Sequence, residues 1–214
     1  MLIAEHQTAG RGRLGRQWMD GPAKDNNGGG DLLFSLCLPL ATPHWSGLSL
    51  ALGVALADSL HADVQLKWPN DLWLGGRKMA GILVETTSIG AARHVVLGVG
   101  INVAARSAAG LAPGPAWAQE VLPGIAAPSL LLRILPRLLL ALQQFSAHGL
   151  RPFIPAFATR DLLHGRDVWL SDGTTGVARG VDADGGLLVH TALGMKTITS
   201  SEVSVRPSVT GGPV

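Results

Sequence analysis

The chain has 214 residues, 47% hydrophobic and 15% charged, with a formal net charge of +2. That is enough chain for one sizeable core, or one domain plus a small appendage. The pI near 9.1 reflects a small excess of basic residues and is no argument for a nucleic-acid or membrane-surface partner.

The N-terminus has no basic stretch followed by an apolar run, so no secretory signal is read there. Residues 2–5 read as a short buried strand entering a loop rich in Gly and Arg. An Asn/Gly cluster at 26–30 precedes a strand at 32–38, which carries the single cysteine, Cys37. One cysteine excludes an intramolecular disulfide, fits a reducing, cytoplasmic setting, and in this apolar run reads as core. Residues 46–60 are apolar nearly all round and predict a buried helix. A strand at 64–68 ends at Pro69, and Gly75-Gly76 predicts a hairpin turn between 72–74 and 78–85. Another strand is expected at 94–103, then a long, poorly packed connector over 104–128. Helices follow at 129–146, kinked at Pro136, and near 153–159. The most apolar stretch, 130–142, contains Arg133, Pro136 and Arg137 and falls short of the roughly 18 to 20 residues a bilayer requires, so a soluble protein is expected. Beyond His164, five short β-rich runs (167–170, 176–181, 187–190, 195–199 and 203–205) alternate with turns. Strands so short need closure to protect their edges, which predicts a small β-barrel, and 208–214 reads as a disordered tail.

Four segments carry chemistry. In Gly10-Arg11-Gly12-Arg13-Leu14-Gly15-Arg16, glycines allow close backbone approach and the arginines supply permanent positive charge for phosphate or carboxylate oxygens. The Gly-x-Gly-x-x-Gly spacing also fits a dinucleotide fingerprint, but that needs a helix starting among the glycines, and Gln17 to Pro22 promises none. A solvated loop or an arginine-rich RNA-binding stretch remains the alternative. In Lys67-Trp68-Pro69-Asn70-Asp71, an amide and a carboxylate sit at a strand's end, where they serve either as ligands for Mg²⁺ or a ribose or simply as turn formers. In the segment from Arg77 to Glu85, Lys78 opens an otherwise apolar strand. Such an ammonium needs an anion unless it marks the solvated mouth of the hairpin, and strict alternation puts it with Ala80 and Ile82, opposite Gly81. In Gly98-Val99-Gly100-Ile101-Asn102, alternation places Gly98, Gly100 and Asn102 on one face. Two glycines there make either a flat floor for a ligand or a surface for close helix packing.

Together and in this order the four segments resemble the catalytic domain of biotin protein ligases. The resemblance runs from Ile3 to about Asn102, loosens through the helices and resumes in the β-rich tail. It implies an α+β fold, a mixed sheet packed with helices like that of class II synthetases, followed by a small SH3-like β-barrel. The implied units are a catalytic domain at 1–163, the barrel at 164–207 and the tail beyond. The implied activity is ATP- and Mg²⁺-dependent activation of biotin to biotinyl-5'-adenylate, then transfer to a lysine of the biotin carboxyl carrier protein of acetyl-CoA carboxylase or a similar carrier. By family position Lys78 and Arg13 are the catalytic residues. Gln7, Arg11, Gly12, Arg13, Ser35, Lys78, Gly81, Gly98 and Gly100 would surround biotin. Arg13, Trp18, Asn70, Asp71 and Asn102 would lie on the ATP side, with Asp71 the candidate for Mg²⁺.

Relatives in this family carry a Ser-Thr-Asn segment upstream of the Gly-Arg loop, and only nine residues precede Gly10 here. Part of the wall for biotin's ring is therefore expected to be missing, with no helix-turn-helix and no DNA partner. Asp31 stands where relatives have Asn. The seven histidines lack ligand spacing, so no transition metal is assigned. A weakly active biotin- or nucleotide-binding remnant and a lipoate-type acyl ligase are the alternative readings. A homodimer through an exposed sheet edge stays open, and no membrane partner is expected.

Overall fold

The computed structural model describes residues 1–15, 18, 30–39, 42, 44–90, 92–105, 114–170, 173, 175–199 and 206–207. The expected loop at 26–29, the strand at 203–205 and the tail at 208–214 lie outside the described residues.

Six strands form the main sheet: β1 (Leu2–Ala4), β2 (Leu32–Pro39), β3 (Gln65–Lys67), β4 (Asp71–Leu74), β5 (Arg77–Ile89) and β6 (Ala92–Ile101), in the spatial order β1-β2-β6-β5-β4-β3. All five ladders are antiparallel, so the mixed sheet expected above is mixed only through a single parallel bridge, Leu66 to Asp161. Gly75 and Gly76 turn the β4–β5 hairpin with φ of 54° and 75°, the doubly positive combination that makes a tight turn compatible with strand twist.

Helix α1 (Leu48–Leu60) is apolar on nearly every side because it is covered on nearly every side: the sheet lies under it, and α2 (Ala127–His148) and α3 (Ile154–Arg160) pack around it. Alternate sheet residues, Phe34, Ala80, Ile82, Leu97, Val99 and Ile101 among them, fill the core beneath α1, each large one contributing roughly 2 kcal/mol of burial. Helix α2 is 22 residues long, runs through Pro136, and is apolar and long enough by composition to cross a bilayer, which the shorter stretch expected from sequence was not. Its Leu130, Ile134, Leu138, Leu142 and Phe145 are spent on the protein core instead.

Four expectations need correction. Strand β1 is not buried: Leu2 is 71% and Ile3 53% exposed, because β1 is the outermost strand and meets only β2. Cys37 is exposed rather than core, since odd-numbered residues of β2 face away from α1. The connector after β6 is not loosely packed at its far end. Ala116 and Ala118 are fully buried, and their small side chains let the backbone close on the sheet through Ala116 N–H to Lys78 O (3.0 Å) and Ala118 N–H to Asn102 O (2.8 Å). A 3-10 turn at Ala118–Glu120 follows.

The fourth correction is the decisive one for the site. The register of β4 against β5 steps from Leu72–Ala80 to Trp73–Lys78, leaving Met79 as the extra residue of a β-bulge. Met79 and Ala80 are then both buried in succession, and Lys78 moves to the Gly81 side of the sheet, opposite to the side strict alternation assigns it.

The second sheet is a meander of β7 (Asp167–Trp169), β8 (Thr175–Val181), β9 (Leu187–Thr191) and β10 (Gly194–Ile198), with β11 (Arg206–Pro207) paired to β7, in the order β10-β9-β8-β7-β11. Among the described residues no pairing joins β10 to β11. The β8–β9 turn docks on the start of α1, where Trp68 Nε1–H donates to Gly185 O (2.9 Å) and the Ser46 hydroxyl to Asp184 O. The Gly47 and Gly185 backbones approach so closely that a methyl on Gly185 would lie 2.7 Å from Gly47 Cα.

Candidate active site

The face of the main sheet turned away from α1 forms the floor of a groove of about 410 Å³, a size suited to a small organic ligand. Strand register arranges this floor in rows. The first runs Ala4, Leu33, Gly100, Gly81, Asp71; the second Leu2, Ser35, Gly98, Leu83; the third Cys37, Val96, Glu85. Successive rows are two residues, about 6.6 Å, apart along each strand.

Charge gathers at the first row. Lys78 Nζ lies 2.7 Å from Asp71 Oδ1 and 5.3 Å from the centre of the Trp18 ring. Both partners of this ion pair are partly exposed, so it is worth about 1 kcal/mol or less, and an incoming anion can compete for the ammonium. The bulge that aims Lys78 is clamped from beneath. Asn102 N–H donates to Met79 O (3.0 Å), Asn102 Nδ2 to Lys78 O (3.4 Å) and Ala116 O (3.0 Å), and Ala116 N–H to Lys78 O. Asn70 is tied to β5 through Nδ2 to Ile82 O (2.8 Å) and through its own carbonyl, which accepts Ile82 N–H. The Trp68–Pro69 bond, between β3 and β4, is cis.

The Gly-Arg loop closes over the same end. Trp18 N–H donates to Gly10 O (3.0 Å), and a methyl on Gly10 would come within 2.5 Å of Trp18 O, so only glycine fits where the loop returns on itself. No α-helix starts among the glycines; the described residues show one 3-10 turn, Arg13–Gly15. Arg11, Gly12 and Arg13 line the groove, and Arg13 also borders a second hollow of about 470 Å³ between Trp45, Trp68 and the β8–β9 turn.

Neither glycine of the pair packs against a helix. The Trp18 indole rests on Gly81 and Gly100, where an added methyl would meet it at 3.0 and 2.7 Å; the close neighbour is a tryptophan ring, not a helix. At Gly98 a methyl would meet nothing nearer than Leu83 Cβ at 3.5 Å, an ordinary contact, so packing does not demand glycine there.

Of the residues singled out from sequence, Gln7, Arg11, Gly12, Arg13, Trp18, Ser35, Asn70, Asp71, Lys78, Gly81, Gly98 and Gly100 all line this one groove. Asn102 is not among the lining residues: it is 2% exposed, and its Nδ2 is held by Lys78 O and Ala116 O beneath Lys78. Sequence reasoning passed over Glu85, which lines the far end of the groove. The signal was available, because Gly81, Leu83 and Glu85 are alternate residues of one strand. Among the described residues no group of three or more His, Cys, Asp or Glu side chains could hold a metal ion. One carboxylate, Asp71, fits a Mg²⁺ whose other ligands are substrate phosphates and water, and does not fit a metal held by protein alone.

Comparison with known proteins agrees with this geometry. Residues 1–102 match the Biotin/lipoate A/B protein ligase family, and residues 168–206 the Biotin protein ligase C terminal domain. A biotin–[acetyl-CoA-carboxylase] ligase of Paracoccus denitrificans is 32% identical over 94% of this chain and 88% of its own length. The chain belongs to the biotin protein ligase family. Another biotin protein ligase, that of Aquifex aeolicus in complex with biotin and ATP, superposes with a TM-score of 0.81 at 29% identity, covering 96% of this chain and 88% of that one. The bifunctional ligase/repressor BirA of Escherichia coli is 36% identical over 95% of this chain, which spans 65% of that relative's length.

Proposed function

We propose that this protein activates biotin with ATP to biotinyl-5'-adenylate and transfers the biotinyl group to a lysine of a biotin carboxyl carrier protein, in the cytoplasm. The observation that carries the reading is the groove itself. A displaceable lysine stands at one end of a glycine-bearing floor whose lining also includes two loop arginines, in a chain whose Aquifex relative is described with biotin and ATP.

Two anions must meet for the first step, and the residues supply what that requires. Lys78 leaves Asp71 to bridge biotin's carboxylate and the α-phosphate, offsetting their repulsion as a carboxylate oxygen attacks phosphorus and pyrophosphate departs. Arg13 holds the phosphoryl oxygens, Arg11 lies against biotin, and the loop they sit on excludes water from the mixed anhydride. Gln7 and Ser35 hydrogen-bond biotin, Gly98 leaves room for it, and Trp18 and Asn70 border the nucleotide. Asp71, released from Lys78, would hold Mg²⁺, which neutralises phosphate charge when bound. In the second step the carrier's lysine amine attacks the acyl carbon and AMP leaves. Residues 1–163 form the catalytic unit in this reading, with 164–207 docked on it.

The test is incubation of the protein with ATP, Mg²⁺, biotin and an apo carrier domain, followed by detection of protein-bound biotin, with lipoate in a parallel reaction. Biotin on the carrier lysine is the expected result. Transfer of lipoate in preference to biotin, or of neither, overturns the reading.

A further inference from the structure

We propose that Glu85 is the residue that reads the end of the ligand opposite its carboxylate, by accepting hydrogen bonds from N–H donors. The inference rests on the biotin reading above and extends it to a position that neither the motifs nor the comparisons assign.

The groove is bipolar. The Lys78 ammonium reaches over its first row to Asp71, Arg11 and Arg13 are in the lining, and its third row ends in Glu85. The bulge at Met79 places Lys78 Nζ 3.5 Å from where a Gly81 side chain would begin. Glu85 follows Gly81 by four residues on β5, two rows further along and about 13 Å away at ~3.3 Å per residue. Between them lie Leu83, Gly98 and Ser35, the open second row. A ligand spanning this floor needs an anionic head, a slender apolar middle and donor groups at its far end. Biotin has that pattern: a carboxylate, a valerate arm and, about 10 Å from the carboxylate by bond lengths, a ureido group with two N–H donors. A carboxylate acceptor makes stronger bonds to such donors than a neutral oxygen does. Glu85 is exposed at the groove's end, so it is available to a ligand, and changing it leaves the core untouched.

The experiment is biotin-dependent exchange of labelled pyrophosphate into ATP, measured for the protein, for Glu85→Ala and for Glu85→Gln. Lipoate, a carboxylic acid without N–H donors, serves as a competing ligand. Glu85→Ala is expected to raise the KM for biotin about tenfold while kcat, the KM for ATP and the inhibition constant of lipoate stay put. Glu85→Gln, which keeps an acceptor oxygen but loses the charge, should fall between. An unchanged KM for biotin in Glu85→Ala overturns the inference and leaves the ligase reading standing, as does an equal weakening of lipoate, which would mark Glu85 as structural. Absence of biotin-dependent exchange in the unaltered protein overturns both.

Discussion

The two faces of the main sheet are made from the same strands and put to opposite uses. On β6, Val95, Leu97, Val99 and Ile101 are buried beneath the helices, whereas the residues between them, Val96, Gly98 and Gly100, lie by alternation on the groove face, whose lining Val99 also reaches. On β5 the same division falls between Ala80 and Ile82 on one side and Gly81, Leu83 and Glu85 on the other. A period of two thus lets one strand serve stability and recognition at once, provided that substitutions on each face act on only one of them.

The largest effect expected on the groove face comes from Lys78→Ala. Removing the sole ammonium assigned to the reacting anions should slow adenylate formation about 10²- to 10³-fold in the pyrophosphate exchange assay, with thermal unfolding barely changed. A rate within a few-fold of the unaltered protein would place Lys78 outside the chemistry. Next, adjacent residues should give opposite phenotypes. Leu97→Ala should cost about 2–5 kcal/mol in denaturant unfolding and leave the KM for biotin alone. Gly98→Ala should leave stability within about 0.5 kcal/mol and raise the KM for biotin, because its methyl meets only ordinary contacts in the protein but projects onto the groove floor. Should Gly98→Ala unfold the protein instead, the division between faces is wrong at that position.

Asn102 belongs to neither face and sharpens the comparison. Asn102→Ala leaves the carbonyls of Lys78 and Ala116 without this donor and should cost about 1–3 kcal/mol. If the clamp positions Lys78, kcat for exchange falls as well while the KM for ATP holds. A rise in that KM with kcat unchanged would return Asn102 to the nucleotide side.

The smallest effect concerns Asp161, at the parallel bridge to β3. Burial pushes its carboxyl above the ordinary value of 3.8, only partly offset by the N–H of Leu163 and by His164. The folded state therefore holds this proton to higher pH than the unfolded chain does. Stability from this group is fully present below pH 3.8, is lost as pH rises through the elevated folded value, and stays lost above it. Asp161→Asn should accordingly raise Tm by a few degrees at pH 7, with the difference from the unaltered protein shrinking as pH falls toward 4. A lower Tm at pH 7 would show that the ionised carboxylate is stabilising after all.

Local sequence determined a good deal of this. The Gly75-Gly76 hairpin, the all-round apolar α1, the spacing of Gly98 and Gly100 and the positive loop were legible because each depends on conformational preferences or alternation within a few residues. Tertiary structure alone decided which way Lys78 points. Alternation assigned it to the helix side, and the bulge at Met79, held by Asn102 and Ala116 from 23 and 37 residues further on, turned it to the groove. The same holds for Trp18, whose ring lies on glycines of β5 and β6, and for Cys37, whose exposure follows from which face α1 covers. A strand's pattern says that two faces exist. Which face becomes core and which becomes site is settled by what packs against them, and one inserted residue is enough to exchange the two.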